Sequence, residues 1–192
     1  MKNLRVYGNK PYRVALLHGG PGAPGEMAPV AKELSMKQGI LEPLQSARSI
    51  TAQVDELKSV FETHGDLPMT LIGFSWGAWL AVLYTAVHPQ DVAKLILIGS
   101  GSFEEKYIPN MHATRLQRLS PDERTKLNDL MQVISTQEKN ANEAFRRVGE
   151  LFSKADAFDP LPAESEILDF QVDMYQSIWP TAAELRRSGE LL

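Results

Sequence analysis

Apolar residues follow two rhythms along this chain, and the change between them divides it. From Arg13 to Ile98, short unbroken apolar runs alternate with segments of helical spacing. Arg13-Val14-Ala15-Leu16-Leu17, Met69 to Ile72 and Ala93 to Ile98 are continuous, like strands covered on both faces of a parallel sheet. Ile40 to Leu44 predicts a further strand, confined by Pro43. Leu4-Arg5-Val6-Tyr7 alternates like a strand at a sheet edge, and Gly8-Asn9-Lys10-Pro11 is turn chemistry. Between the strands, Pro24 to Leu34 predicts a helix running from Glu26 through Met27, Val30 and Leu34. Ile50, Val54, Leu57 and Phe61 share one helical face, which stops near His64-Gly65. Ala78 to Val87 predicts a third helix, ended by His88-Pro89.

Strands alternating with helices predict a parallel sheet with right-handed crossovers, an α/β fold. After Phe103 the pattern becomes helical throughout. Ser120-Pro121-Asp122-Glu123 is a helix start, with Ser120 as N-cap, Pro121 at the first helical position and Glu123 closing a capping box. Leu127, Leu130, Met131 and Ile134 continue that helix, and Phe145, Val148 and Phe152 mark the next. Leu161-Pro162 breaks the chain. Ile167 to Trp179 predicts another helix, and Thr181 with Glu184 starts a last one that Gly189 ends.

Composition narrows the function classes. Hydrophobic residues make up 43% and charged residues 23% of 192, enough for one domain with a core, or one domain with an insertion. The net charge of -4, with signs interspersed, argues against nucleic acid or an anionic membrane as partner. With no cysteine, there is no disulfide framework, thiolate metal site or cysteine nucleophile. The N-terminus carries no apolar secretory segment, and no apolar run reaches the roughly 18 residues of a membrane span. A cytoplasmic protein is expected. No metal and no organic cofactor is implied.

Two glycine motifs carry the candidate chemistry. Gly73-Phe74-Ser75-Trp76-Gly77 lies between an apolar strand and an apolar helix, the context of a nucleophile elbow. Gly73 and Gly77 leave room where a Cβ would crowd the neighbouring strand or helix. A plainer reading has Ser75 capping the helix. The second motif, His18-Gly19-Gly20-Pro21-Gly22, follows the Arg13 strand. Pro21 has no N–H, so Gly20 is the first candidate to face a developing oxyanion and Gly19 the second. A plain glycine-proline loop is the alternative.

Together the two motifs resemble the α/β-hydrolase superfamily, most closely its proline iminopeptidase-like branch. The resemblance is good over residues 13 to 103 and loose beyond. Phe74 departs from the branch, which favours a small residue there, and Leu41-Glu42-Pro43-Leu44-Gln45-Ser46 lacks its D-x-R-G-x-G pattern. The resemblance implies a mostly parallel sheet with flanking helices (a partial α/β-hydrolase fold) plus a helical cap. Strands near 40, 13, 69 and 93 would lie in that order, the Leu4 strand beside the Ile40 strand, and both motifs at the carboxyl ends of central strands. Residues 1–103 would form the N-terminal part of the core and 104–192 the cap, with the C-terminal core strands absent. Cap residues Met111, Tyr175 and Trp179 are candidates for pocket lining or for packing.

The implied chemistry is hydrolysis of a small-molecule ester or a peptide. Ser75 attacks the carbonyl, and the Gly20 and Trp76 amides hold the oxyanion, while His18, Gly19, Gly73 and Gly77 shape the support. In the superfamily an acid and then a histidine follow the serine, but this sequence ends at Leu192 without them. His88 stands about 20 Å from Ser75 along a helix, and His64 sits near the opposite strand end. His18 is better suited to shaping the loop, and His112 has no acid behind it. Asp156, Asp159, Asp169 and Asp173 read as solvated surface. The chain is therefore expected to be truncated after the cap and weakly active or inactive, with self-association through an exposed sheet edge. The alternatives are a non-catalytic binding or scaffold protein that keeps the fold, and one half of a split enzyme completed by a partner.

Overall fold

The computed structural model describes residues 3–136, 139–159, 166 and 169–191. Its first half builds one sheet from β1 (Leu4–Tyr7), β2 (Tyr12–Leu17), β3 (Gly39–Pro43), β4 (Met69–Phe74) and β5 (Val92–Ile98). The strand order is β1-β3-β2-β4-β5, as the resemblance implied. Only β1 runs antiparallel, against β3; the other pairs are parallel. Leu17 pairs with Gly73 and Phe74 with Ile98, so the carboxyl tips of β2, β4 and β5 come level.

The three crossovers are α1 (Ala28–Ser35), α2 (Ile50–His64) and α3 (Trp76–Val87). Alternation along the strands sends their apolar side chains to two faces. Ala15, Leu17, Leu41 and Leu71 meet α2 and α3 in the larger core, with Phe61, Trp76, Trp79, Leu80 and Tyr84. Val14, Leu16 and Ile40 face the other way, onto Met27 and Ala31 near α1.

The helix starting at α1 is shorter than the apolar pattern predicted. Gly22 and Gly25 both have positive φ, at 101° and 89°, so the chain is still turning at Pro24 and Glu26. Glu26 consequently lies in a turn rather than on a helix.

The second half contains α4 (Ile108–Arg118), α5 (Pro121–Ser135), α6 (Ala141–Asp156) and α7 (Val172–Ser188). The capping box at Ser120 and Glu123 forms as expected. The α4 helix left no apolar stripe to read, because Ile108 is its one buried residue. The Leu161-Pro162 break and residues 167 and 168 lie outside the described residues. The two helices expected from 167 onwards are one helix, with Pro180 in its interior. An interior proline removes a hydrogen bond and costs about 3 kcal/mol. Burial on both sides of it offsets that cost. Ile178 and Ala182 are fully buried, and Trp179 stacks on Trp79 with ring centroids 5.8 Å apart.

α7 therefore does not belong wholly to the helical region. Met174, Ile178, Ala182 and Leu191 join the core of the sheet, whereas α5 and α6 bury Leu127, Ile134, Ala144, Val148 and Leu151 in a second cluster that Val172 at the start of α7 also joins.

Candidate active site

The turn between β4 and α3 is built around Ser75. Its backbone has φ 52° and ψ -114°, a conformation that L-residues rarely adopt. Its N–H donates to the Ile98 carbonyl of β5 at 3.0 Å. Its side chain makes no capping bond to α3, which removes the plainer reading of Ser75 as a helix cap. The serine is half-buried, and the described residues offer its hydroxyl no hydrogen bond.

The flanking glycines are required by contact. A Cβ at Gly73 would stand 2.3 Å from the Gly77 oxygen, and one at Gly77 would stand 2.2 Å from the Leu17 oxygen. The start of α3 is thus pressed against the end of β2. That contact brings the loop 18–22 beside the elbow. A Cβ at Gly19 would fall 3.2 Å from the Ser75 Cβ. The Trp76 amide is at the first position of α3, where an N–H has no acceptor within its own helix. The Trp76 indole is buried, and its Nε1 donates to Gln53 Oε1 at 3.1 Å.

His18 is fully buried. Burial pushes its imidazole below the usual range, so the ring is neutral, although the Gly19 and Leu44 backbone pulls the other way. Its Nδ1 lies 2.7 Å from the Gly19 carbonyl. A carbonyl only accepts, so the ring proton is assigned to Nδ1. Nε2 is buried without a hydrogen-bond partner among the described residues. His18 thus contacts the loop through the Gly19 carbonyl. The Gly19 carbonyl and the Gly20 N–H share one planar peptide and point in opposite directions. Fixing the carbonyl on His18 directs the Gly20 amide away from it.

The expectation for Gly19 as a second oxyanion donor is overturned. Its N–H already donates to Glu26 Oε2 at 2.8 Å. Burial pushes the Glu26 carboxyl above the usual range, and the Gly19 N–H only partly offsets this. At the other end of the loop, the Gly22 carbonyl accepts the Gln171 N–H at 2.9 Å, just before α7. A Cβ at Gly22 would stand 2.4 Å from the Gln171 oxygen. The loop is therefore held from both halves of the chain.

The other histidines lie elsewhere. His64 is the exposed last residue of α2, His88 ends α3 against Tyr84, and His112 is exposed on α4. Asp156 pairs with Arg115 and Asp173 with Arg48. Of the candidate lining residues, Tyr175 and Trp179 stack on each other and extend the aromatic contact from Trp79. Among the described residues, no three or more His, Asp or Glu side chains are grouped to hold a metal.

Three participants escaped the sequence reading: Glu26, Gln53 and Gln171. Gln53 left a signal, being a polar residue inside the apolar stripe of α2. Glu26 left a weaker one, an acid directly after the glycine loop. Gln171 left none, because its role is played by backbone atoms.

A serine at the tip of a central parallel strand, beside a glycine loop on the neighbouring strand, defines the α/β-hydrolase class of fold. The family described as alpha/beta hydrolase fold matches residues 46–191, and the chain belongs to it. Proline iminopeptidases of Lactobacillus helveticus are 30% identical over 115 residues, covering 52% of this chain and 39% of theirs. The chain thus spans about two-fifths of the length of the curated relatives it matches. Among solved structures, VinJ is similar with a TM-score of 0.57 at 19% identity, covering 88% of this chain and 72% of its own. Est816, described as an N-acyl homoserine lactone degrading enzyme, gives 0.57 at 15% identity, over 98% and 70%. A structure from a study of carboxylesterases of Nitrososphaera gargenis gives 0.55 at 16%, over 95% and 67%. At these identities the structural matches show the fold alone.

Proposed function

We propose that this chain carries the nucleophile and oxyanion half of a serine hydrolase site acting on a small ester or peptide. Ser75 Oγ attacks the carbonyl carbon, and the negative charge that forms on the carbonyl oxygen is held by the Gly20 and Trp76 amides. Water then hydrolyses the acyl-enzyme. The observation that supports this most is the Ser75 backbone, at φ 52° and ψ -114°, with a side chain that caps nothing. Strain of this kind costs about 1–3 kcal/mol and collects at functional sites.

A serine hydroxyl needs a base in contact to act at neutral pH. Among the described residues no histidine hydrogen-bonds it. The proposal is therefore that residues 1–192 alone turn over slowly, with the proton-handling groups supplied from elsewhere. On this reading residues 1–103 are the core portion and 104–192 the cap, although α7 packs into the core.

The test is labelling with a fluorophosphonate, read by mass spectrometry of the intact protein and its peptides. Slow, stoichiometric modification at Ser75, absent in Ser75→Ala, is the expected result. Modification spread over other serines at the same rate would end the proposal and leave a non-catalytic protein with a hydrolase fold.

A second proposal concerns assembly. β5 is one of the two edge strands, and Ile96, Leu97 and Ile98 on it are 38–45% exposed. An exposed apolar edge pairs readily with another chain, so self-association through β5 is expected.

A further inference from the structure

The glycine loop is held at each end. Gly22 is tied by its carbonyl to Gln171. Gly19 is tied by its N–H to Glu26. Between these anchors stand Gly20 and Pro21, and Pro21 has no N–H. Two backbone N–H groups, those of Gly20 and Gly22, lie between the two ties, and that of Gly20 belongs to the peptide whose carbonyl His18 holds.

Glu26 suits the anchoring task. Its own backbone is set by the turn into α1, with Glu26 N–H donating to the Ala23 carbonyl at 3.3 Å and Ala28 N–H to the Gly25 carbonyl at 3.1 Å. That turn is pinned by Ala28 and Ala31, both fully buried. No cation pairs with Glu26 among the described residues, and the Lys32 ammonium of α1 pairs with Glu166 at 2.6 Å. The polar contact recorded for its carboxylate is the Gly19 N–H. The carboxylate is also close to the serine. Glu26 Oε2 lies 2.7 Å from the point a Gly19 Cβ would occupy, and the Ser75 Cβ lies 3.2 Å from the same point. A single glycine separates them.

We propose that Glu26 is a positioning residue of the acyl-transfer site, its carboxylate fixing the His18–Gly19 peptide so that the Gly20 N–H stays aimed at the oxyanion formed on Ser75. The proposal rests on the acyl-transfer reading above. Two consecutive peptides are then pinned, one by the Glu26 carboxylate through the Gly19 N–H and the next by His18 through the Gly19 carbonyl. Without the carboxylate the Gly19 N–H loses its acceptor, and the first peptide keeps its tie at the other side alone, where the His18 carbonyl accepts from Gln45 Nε2 at 3.2 Å. A shift of that peptide reaches Gly20, because the two peptides share the Gly19 Cα.

The experiment compares the full chain with Glu26→Ala and Glu26→Gln by amide hydrogen exchange of Gly19 and Gly20 in 15N-labelled protein. The rate of fluorophosphonate labelling at Ser75 is measured on the same samples. Glu26→Ala is expected to speed Gly19 exchange and to slow labelling by at least about tenfold, since a misplaced oxyanion donor no longer stabilises the transition state. Glu26→Gln keeps an acceptor oxygen and is expected to recover both to within about threefold. Glu33→Ala, on the exposed side of α1, should change neither. If Glu26→Ala does not fold, Glu26→Asp, which withdraws the carboxylate by one methylene, takes its place with the same expectation. Unchanged Gly19 exchange in the variant overturns the proposal. So does a freed Gly19 amide with labelling at the wild-type rate. Wild-type protein that is never labelled sinks the acyl-transfer reading itself, and the positioning role with it.

Discussion

The two faces of the sheet are built to different standards. One is closed by α2, α3 and α7, and there Leu71, Trp76, Trp79, Leu80 and Tyr84 are at most 2% exposed. The other meets α1 over β3 and β1, with Val14 and Leu16 of β2 reaching Met27 and Ala31. Towards β5 it opens: Ile72 and Phe74 are half-buried, and Ile96 and Ile98 are exposed. The open face carries Glu42, Thr70 and Lys94 beside its apolar residues, and fewer helices reach it. α7 is decisive for the closed face. It crosses from the helical half of the chain to stack Trp179 on Trp79, and Arg186 stands over the same ring at 5.8 Å. The candidate site sits where the two faces meet, with Trp76 turned to the closed side and Phe74 to the open one.

This contrast can be broken by substitution. The largest effect is expected at Trp79, which also touches Trp76 and Phe103 and donates its Nε1–H to the Gly101 carbonyl. Trp79→Ala should destabilise by about 4 kcal/mol in urea unfolding. A loss below about 1 kcal/mol would mean that α7 does not hold this face.

A smaller effect is expected at Asp91, at the far end of the same face. Tyr84 and Lys58 both donate to its carboxylate at 2.8 Å. Burial raises this carboxyl, but the two hydrogen bonds outweigh it and hold the group below the usual range. The folded protein then binds the proton less tightly than the unfolded chain. The resulting stability is present above the unfolded carboxylate pKa of about 3.9 and is lost as pH falls through the lower folded value. Asp91→Asn should cost about 2 kcal/mol at neutral pH. The gap between variant and wild type should narrow below about pH 4. A gap that stays constant with pH would contradict the ionic role.

The smallest change in stability is expected on the open face. The pair Ile96→Lys and Ile98→Lys should alter unfolding free energy by no more than about 0.5 kcal/mol each, because both residues are exposed. The same pair should reduce self-association in sedimentation or light scattering. A large destabilisation, with association unchanged, would show that this face is covered after all.

Much of the fold was legible because local patterns and topology agreed. The apolar runs at Val14, Ile40, Leu71 and Leu95 and the alternation at Leu4 place the five strands, and the family resemblance orders them correctly. The Gly73–Gly77 turn was legible for a steric reason, since its glycines face backbone atoms less than 3 Å from where a Cβ would sit. Helix boundaries were harder. Pro180 reads as a stop, yet α7 runs through it because the burial of Ile178 and Ala182 outweighs one lost hydrogen bond. α4 was missed because a polar helix leaves no stripe to count.

The chain's own order of residues determined that a serine would stand in a glycine-flanked turn after a buried strand, because close backbone contact there excludes any side chain. Tertiary structure alone decided how the neighbouring loop is held. Glu26, His18 and Gln171 reach it from a turn, a strand end and the approach to a distant helix. Such hydrogen bonds leave no periodic trace: His18 and Glu26 stand close to the loop in sequence and show only as residue types beside it, and the distant backbone of Gln171 shows not at all.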